Sequence, residues 1–143
     1  MKRSNMKICF VCLGNICRSP MAEMILRDKA PSDWEVVSRA TSSWEHGNPV
    51  HPGTQEVLKK HAIPCDPQKR SQKISKADFE YYDKIIGMDQ SNVTNLYKMA
   101  AVGTEDKISQ LLSEDVQDPW YTGDFDATYE LVLTGCERIL KSM

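Results

Sequence analysis

The chain has 143 residues, 41% of them hydrophobic, and a formal net charge of −2. That length supports one ordinary domain with a sizeable core, spanning residues 1–143, and leaves little for a second. The charge balance gives no reason to expect nucleic acid or a membrane surface as partner, and no stretch approaches the roughly 20 apolar residues that a bilayer crossing requires. In chain order, hydrophobic patterning predicts a strand at Lys7–Val11, a helix at Pro20–Lys29, a strand at Glu35–Arg39 and a helix at Thr54–His61. A short helix follows near Lys76–Tyr82, then a strand at Lys84–Met88, a helix at Ser91–Met99, a strand at Lys107–Leu111 and a last helix at Phe125–Lys141. Strands alternating with helices imply an α/β fold: a single three-layer domain with a central four-stranded parallel sheet and helices on both faces.

The basic start, Met1-Lys2-Arg3-Ser4-Asn5, is followed only by a short apolar run that reads as a strand and not as a signal peptide. Five cysteines, an odd number, argue for thiols over a disulfide framework. A cytoplasmic protein is the expectation.

The chemistry concentrates where the first strand meets the first helix, at Cys12-Leu13-Gly14-Asn15-Ile16-Cys17-Arg18-Ser19-Pro20. Ser19 near the N-cap and Pro20 at the first helical position mark the helix start. Unpaired N–H groups of a helix's first turn, with those of a curled loop, bind anions, and the helix dipole adds positive potential. A phosphate fits such a cradle. Cys12 at its floor would be drawn toward the thiolate form. Arg18 offers a planar fork able to hold two phosphoryl oxygens at once. Gly14 lets the backbone turn close to the anion, Asn15 tolerates a left-handed conformation, and Ser19 could donate to the thiolate.

Displacing an alcohol from phosphorus also needs an acid for the leaving oxygen. Asp118-Pro119-Trp120-Tyr121-Thr122-Gly123 supplies one on a loop, with two aromatics beside it suited to a flat apolar group.

These segments resemble the low-molecular-weight protein tyrosine phosphatases. The likeness is carried by Val11 through Glu23, then by Ala40-Thr41-Ser42, Gly47-Asn48, Met88-Asp89 and the Asp118-Pro119-Trp120-Tyr121 loop. The resemblance implies that Cys12 becomes a phosphocysteine, that Arg18 binds phosphoryl oxygens, and that Asp118 serves as general acid and then as base for water. It implies that Leu13, Gly14, Asn15, Ile16, Cys17 and Ser19 form the phosphate-binding loop, with Asn15, Ser19 and Ser38 supporting it. Ile16, Trp44, Trp120 and Tyr121 would wall the substrate pocket. Where related enzymes hydrolyse phosphoarginine, a threonine takes the Ile16 position, so isoleucine points to phosphotyrosine. The implied partners are a phosphotyrosine protein or a small aryl phosphate, with inorganic phosphate as product and inhibitor. No metal or cofactor is implied, and a monomer or weak homodimer is expected.

Other readings stand beside these. Cys9 and Cys12 form Cys-x2-Cys, which admits zinc, but no second ligand cluster lies at useful spacing and Cys9 reads as core. Cys17 reads as a reversible disulfide partner for Cys12 under peroxide. Cys65 and Cys136 read as structural, and His46, His51 and His61 as surface residues. Asp89 either orients the site or caps the helix at Ser91. Arsenate reductases with the same loop carry a further cysteine pair mid-chain, whereas here no cysteine lies between Cys65 and Cys136. A non-catalytic phosphopeptide module would need neither the thiol nor the acid. The family often places a histidine after an Ile-Pro pair to help hold the Asn15 equivalent; this chain has Ile63-Pro64-Cys65-Asp66-Pro67 instead, and the following Lys69, Arg70 and Lys73 read as a solvated basic face.

Overall fold

β1 (Lys7–Cys12) lies inside a sheet ordered β2-β1-β3-β4, flanked by β2 (Glu35–Ala40) and β3 (Lys84–Gly87), with β4 (Ile108–Gln110) at the far edge. Every pairing is parallel, with Cys12 opposite Ala40, Val11 opposite Gly87, and Gly87 opposite Gln110. The computed structural model describes residues 5–142, so the segment Met1–Ser4 of the basic start lies outside the described residues.

The apolar run Ile8–Val11 is buried on both faces, as a strand covered by helices on each side must be. Alternation sends Ile8, Phe10 and Cys12 to one face, where α1 (Arg18–Lys29), α2 (Pro52–Lys60) and α6 (Phe125–Ser142) cover them. It sends Cys9 and Val11 to the other, against α3 (Lys76–Tyr81) and α4 (Gln90–Met99). The predicted three-layer α/β architecture is the one observed. Cys9 and Cys12 therefore face opposite ways, which separates them as metal ligands.

Local signals explain the element ends. α1 begins at Arg18, two residues before the expected start. Cys17 is its N-cap and no side chain caps it; Ser19 and Pro20, expected at the cap and the first position, are the second and third helical residues. α2 also begins early: Pro52 takes its first position, and His51 Nδ1 accepts from Gly53 N at 2.9 Å. Ser75 and Asp78 close a capping box on α3. β4 is shorter than predicted, since a 3₁₀ turn at Glu105–Lys107 takes its first residue. Along α6, Tyr129, Val132, Cys136 and Leu140 are buried at helical spacing. Among the described residues, no helix is long and apolar enough to cross a membrane.

Candidate active site

All four strands deliver their carboxyl ends to one place, as parallel sheets do for their ligands. β1 ends on Cys12, β2 leads into the loop of Trp44, β3 is followed by Asp89, and the chain beyond β4 reaches Asp118. Around this point lies a cavity of about 260 Å³, lined by residues 12–17 and by Trp44, Glu45, Asp118, Trp120 and Tyr121.

Cys12, 3% exposed, forms its floor. Its Sγ lies 3.0 Å from Ser19 Oγ and accepts from the backbone N–H of Asn15 at 3.2 Å. Asn15 is the loop's left-handed residue (φ 58°), whereas Gly14 has an ordinary φ. A Cβ at position 14 would sit 3.3 Å from Glu45 Cγ, a tight contact with a flexible side chain. The Asn15 amide ties the loop together: Nδ2 donates to Ser19 Oγ at 2.8 Å and to Ser38 Oγ at 2.9 Å, and Oδ1 accepts from Gln72 N at 3.2 Å. Ser71 Oγ adds a bond to Gly14 O at 2.7 Å. Ser19 and Ser38 thus both accept from the Asn15 amide, and Ser71 and Gln72 bond the loop from the segment that follows Ile63-Pro64.

Arg18 is buried, with one nitrogen committed to the protein. Nη1 donates to Asp89 Oδ2 at 2.7 Å and to Val116 O at 2.9 Å. Nη2 lies 3.5 Å from Asp118 Oδ2, and Nε has no hydrogen-bond partner among the described residues. That leaves the Nε–Nη2 edge as a two-pronged donor for an oxyanion. Burial pulls the guanidinium down, but Cys12, Asp89 and Asp118 outweigh it and hold Arg18 above its ordinary value. The first-turn amides of α1, uncapped by any side chain, supply further donors at the same end.

Asp118 is the N-cap of a helical turn, α5 (Pro119–Thr122), where a plain loop was expected. Its Oδ1 accepts from Trp120 N at 3.0 Å, Pro119 takes the first helical position, and Gly123 closes the turn at φ 73°. This cap aims the aromatic pair: Trp120 is 56% and Tyr121 77% exposed, both at the cavity wall. His51 meets the Trp120 ring edge-on at 5.7 Å and stacks on Phe125 at 5.1 Å, a supporting role behind that wall. Trp44, 77% exposed, stands on the cavity rim and not in the core. Ile16 lines the same space.

Cys17 is a free, buried thiol in the loop. Burial first, then the charges of Cys12 and Asp118, push it up to about 12. Sequence reasoning missed Glu45 at the rim and the position of Lys69, which was expected to be solvated and whose side chain is 8% exposed beside Glu23. Glu23 itself carried a signal: it is the one charge within the apolar run Met21–Leu26.

A strand, a thiol with an arginine six positions on, a helix start and a distant aspartate on an aromatic turn define a site for phosphoryl groups. The family model for low molecular weight phosphotyrosine protein phosphatase matches residues 7–143. The chain is 43% identical to the low molecular weight protein-tyrosine-phosphatase PtpA of Staphylococcus aureus, over 93% of this chain and 90% of that protein. Among solved structures it is similar to SP-PTP, a low molecular weight protein tyrosine phosphatase from Streptococcus pyogenes. That match has a TM-score of 0.94 at 50% identity, covering 96% of this chain and 93% of the other. YfkJ of Bacillus subtilis matches with a TM-score of 0.92 at 40% identity, over 99% and 96% of the two chains. The chain belongs to the low molecular weight phosphotyrosine protein phosphatase family.

Proposed function

We propose that this chain hydrolyses phosphotyrosine, in proteins or small aryl phosphates, through a phosphocysteine. The observation that carries this reading is the shared cavity: a thiol at its floor beside the Ser19 hydroxyl and the Asn15 N–H, a guanidinium edge whose Nε has no partner among the described residues and whose Nη2 faces Asp118, and that carboxylate on an aromatic wall. Cys12 Sγ attacks phosphorus in line, while Arg18 Nε and Nη2 and the loop amides hold the phosphoryl oxygens. Asp118 protonates the departing aryl oxygen. It then takes a proton from water, which attacks the phosphocysteine and frees inorganic phosphate and the thiolate.

Trp44, Trp120, Tyr121 and Ile16 give the cavity flat and apolar walls that suit an aryl group, and the preference for phosphotyrosine over phosphoarginine rests on isoleucine at position 16. The same reading takes residues 1–143 as one catalytic domain, acting in the cytoplasm as a monomer or weak homodimer, with phosphate as a competitive inhibitor. Under peroxide, the Cys12 thiolate is oxidised to a sulfenic acid, and the Cys17 thiol displaces water from it to form a disulfide.

The test is phosphate release from a phosphotyrosine peptide and from phosphoarginine by wild type and Cys12→Ser. Phosphotyrosine turnover lost in the variant supports the reading. Preference for phosphoarginine would keep the chemistry and overturn the substrate, and turnover of neither would leave a phosphate-binding module.

A further inference from the structure

Glu23, 1% exposed, lies deep in α1 and away from the reacting atoms. Its Oε2 pairs with Arg27 at 2.6 Å, and its Oε1 accepts the Ser38 hydroxyl at 2.5 Å. Lys69 Nζ stands 3.6 Å from the same Oε1 and donates to the Ser38 carbonyl at 2.7 Å. A buried carboxylate and a buried ammonium are costly to keep, and every bond these two make converges on Ser38 or Arg27.

The donors and acceptors allow one direction through the chain of bonds. A carboxylate only accepts, so the Ser38 proton goes to Glu23, and Ser38 Oγ is left to accept from Asn15 Nδ2. The second Asn15 amide proton goes to Ser19 Oγ, and Asn15 Oδ1 takes the Gln72 N–H. Ser19 then has one proton left to give. Cys12 Sγ at 3.0 Å is nearer than the Arg39 carbonyl at 3.5 Å.

We propose that Lys69 and Glu23 are positioning residues for the nucleophile: their ion pair sets the polarity of the Ser38–Asn15–Ser19 chain so that Ser19 donates to the Cys12 thiolate. This rests on Cys12 as the nucleophile. The charged or titratable groups around Lys69 are Glu23 and Arg27 on α1, Arg39 on β2, Cys9 on β1 and Asp66 on its own loop. Burial pulls the ammonium down and the Glu23 charge opposes it. Without Lys69, Glu23 still has Arg27 to anchor it, but Oε1 loses its cation and the Ser38 carbonyl its donor.

The experiment is the rate of Cys12 alkylation by iodoacetamide as a function of pH, without substrate, on the full chain. Variants are Lys69→Met, Glu23→Gln, their combination, Lys69→Arg and Ser38→Ala, with exposed Lys60→Met as control and thermal melts for folding. The pH of half-maximal alkylation rises by about one unit in Lys69→Met and in Glu23→Gln, the scale of one bond to a charged group. The double variant moves no further than the larger single one, because both act through one chain. Lys69→Arg restores part of the shift and Lys60→Met leaves it at the wild-type position. Folded Lys69→Met and Glu23→Gln proteins with a wild-type midpoint, whatever their turnover, overturn the proposal. If neither folds, Ser38→Ala decides by the same criterion. A wild type without a fast-reacting Cys12 would instead overturn the nucleophile assignment itself.

Discussion

Asp89 holds Arg18 with one oxygen and the start of α4 with the other: Oδ2 accepts from Arg18 Nη1 at 2.7 Å and Oδ1 from Asn92 N at 2.7 Å. The two readings left open by sequence, orienting the site and capping the helix, are both realised. Asparagine also caps helices well, so Asp89→Asn separates the two duties. It leaves α4 capped but places an uncharged group against the guanidinium. A lost bond to a charged partner is worth about 1.5–3 kcal/mol, so kcat/KM for an aryl phosphate falls by roughly 10–100-fold while the melting temperature moves little. Asp89→Ala loses the cap as well, at about 1 kcal/mol of stability. Full activity in Asp89→Asn would show that Val116 O alone orients Arg18.

Asp118 faces the cavity from the turn that carries Trp120 and Tyr121, and its other oxygen caps that turn. As the acid for the leaving oxygen, its removal costs roughly 10²–10⁴-fold in turnover of phosphotyrosine. Asp118→Asn keeps the cap, so the loss belongs to proton transfer and not to a disordered turn. The rate of Cys12 alkylation stays near wild type in this variant. A phosphate ester with a strongly acidic leaving phenol, which needs little protonation, loses less; an equal loss for both esters would argue against the acid role.

Much of the site was legible because its signals are local. The apolar run Ile8–Val11, then Cys12 through Pro20, spell strand, loop and helix within one stretch, and Asp118-Pro119 marks an acid at a turn. What escaped depends on neighbours far along the chain. Asp89 was in view, but its partner was not: it reaches Arg18 because β3 pairs with β1, Val11 opposite Gly87, which sequence spacing alone does not reveal. Lys69 reads as one of three cations in a solvated stretch. Isolated bridges pin that stretch instead, Arg70 to Pro49 and Lys73 to Ala40, and Lys69 is held inward against Ser38. α5 has only 4 residues, too few for any periodicity, although its cap, proline and closing glycine were all in view.

Gly135 lies within α6, where alanine ordinarily gains about 1 kcal/mol over glycine. Here a Cβ would lie 2.4 Å from Leu111 Cγ and 2.5 Å from its Cδ1, so the whole isobutyl group must move and not only its tip. Overpacking of this kind costs about 1–3 kcal/mol and outweighs the helix gain. Gly135→Ala is therefore destabilised, read as a lower urea midpoint. Leu111→Ala frees the space, so in that background Gly135→Ala turns neutral or stabilising. Additive losses in the double variant would mean that the clash is not with Leu111.

Burial pushes the Cys136 thiol up to about 12, and Cys17 likewise to about 12, with the Cys12 and Asp118 charges adding to burial there. It raises Cys9 further still and takes the Tyr82 phenol to about 12. In the unfolded chain thiols release their protons near 9.0 and phenols near 10.0. Between these values and about 12, the unfolded state binds fewer protons than the folded one. Stability is thus fully present below about pH 9 and falls as pH rises through that window. Urea midpoints under reducing conditions should be level from about pH 7 to 8.5 and drop progressively above about pH 9.5. Cys136→Ala removes one of these protons, so its midpoint falls less steeply with pH even though the protein starts less stable. A midpoint that stays level through this window would show that the buried thiols ionise in place without unfolding the chain.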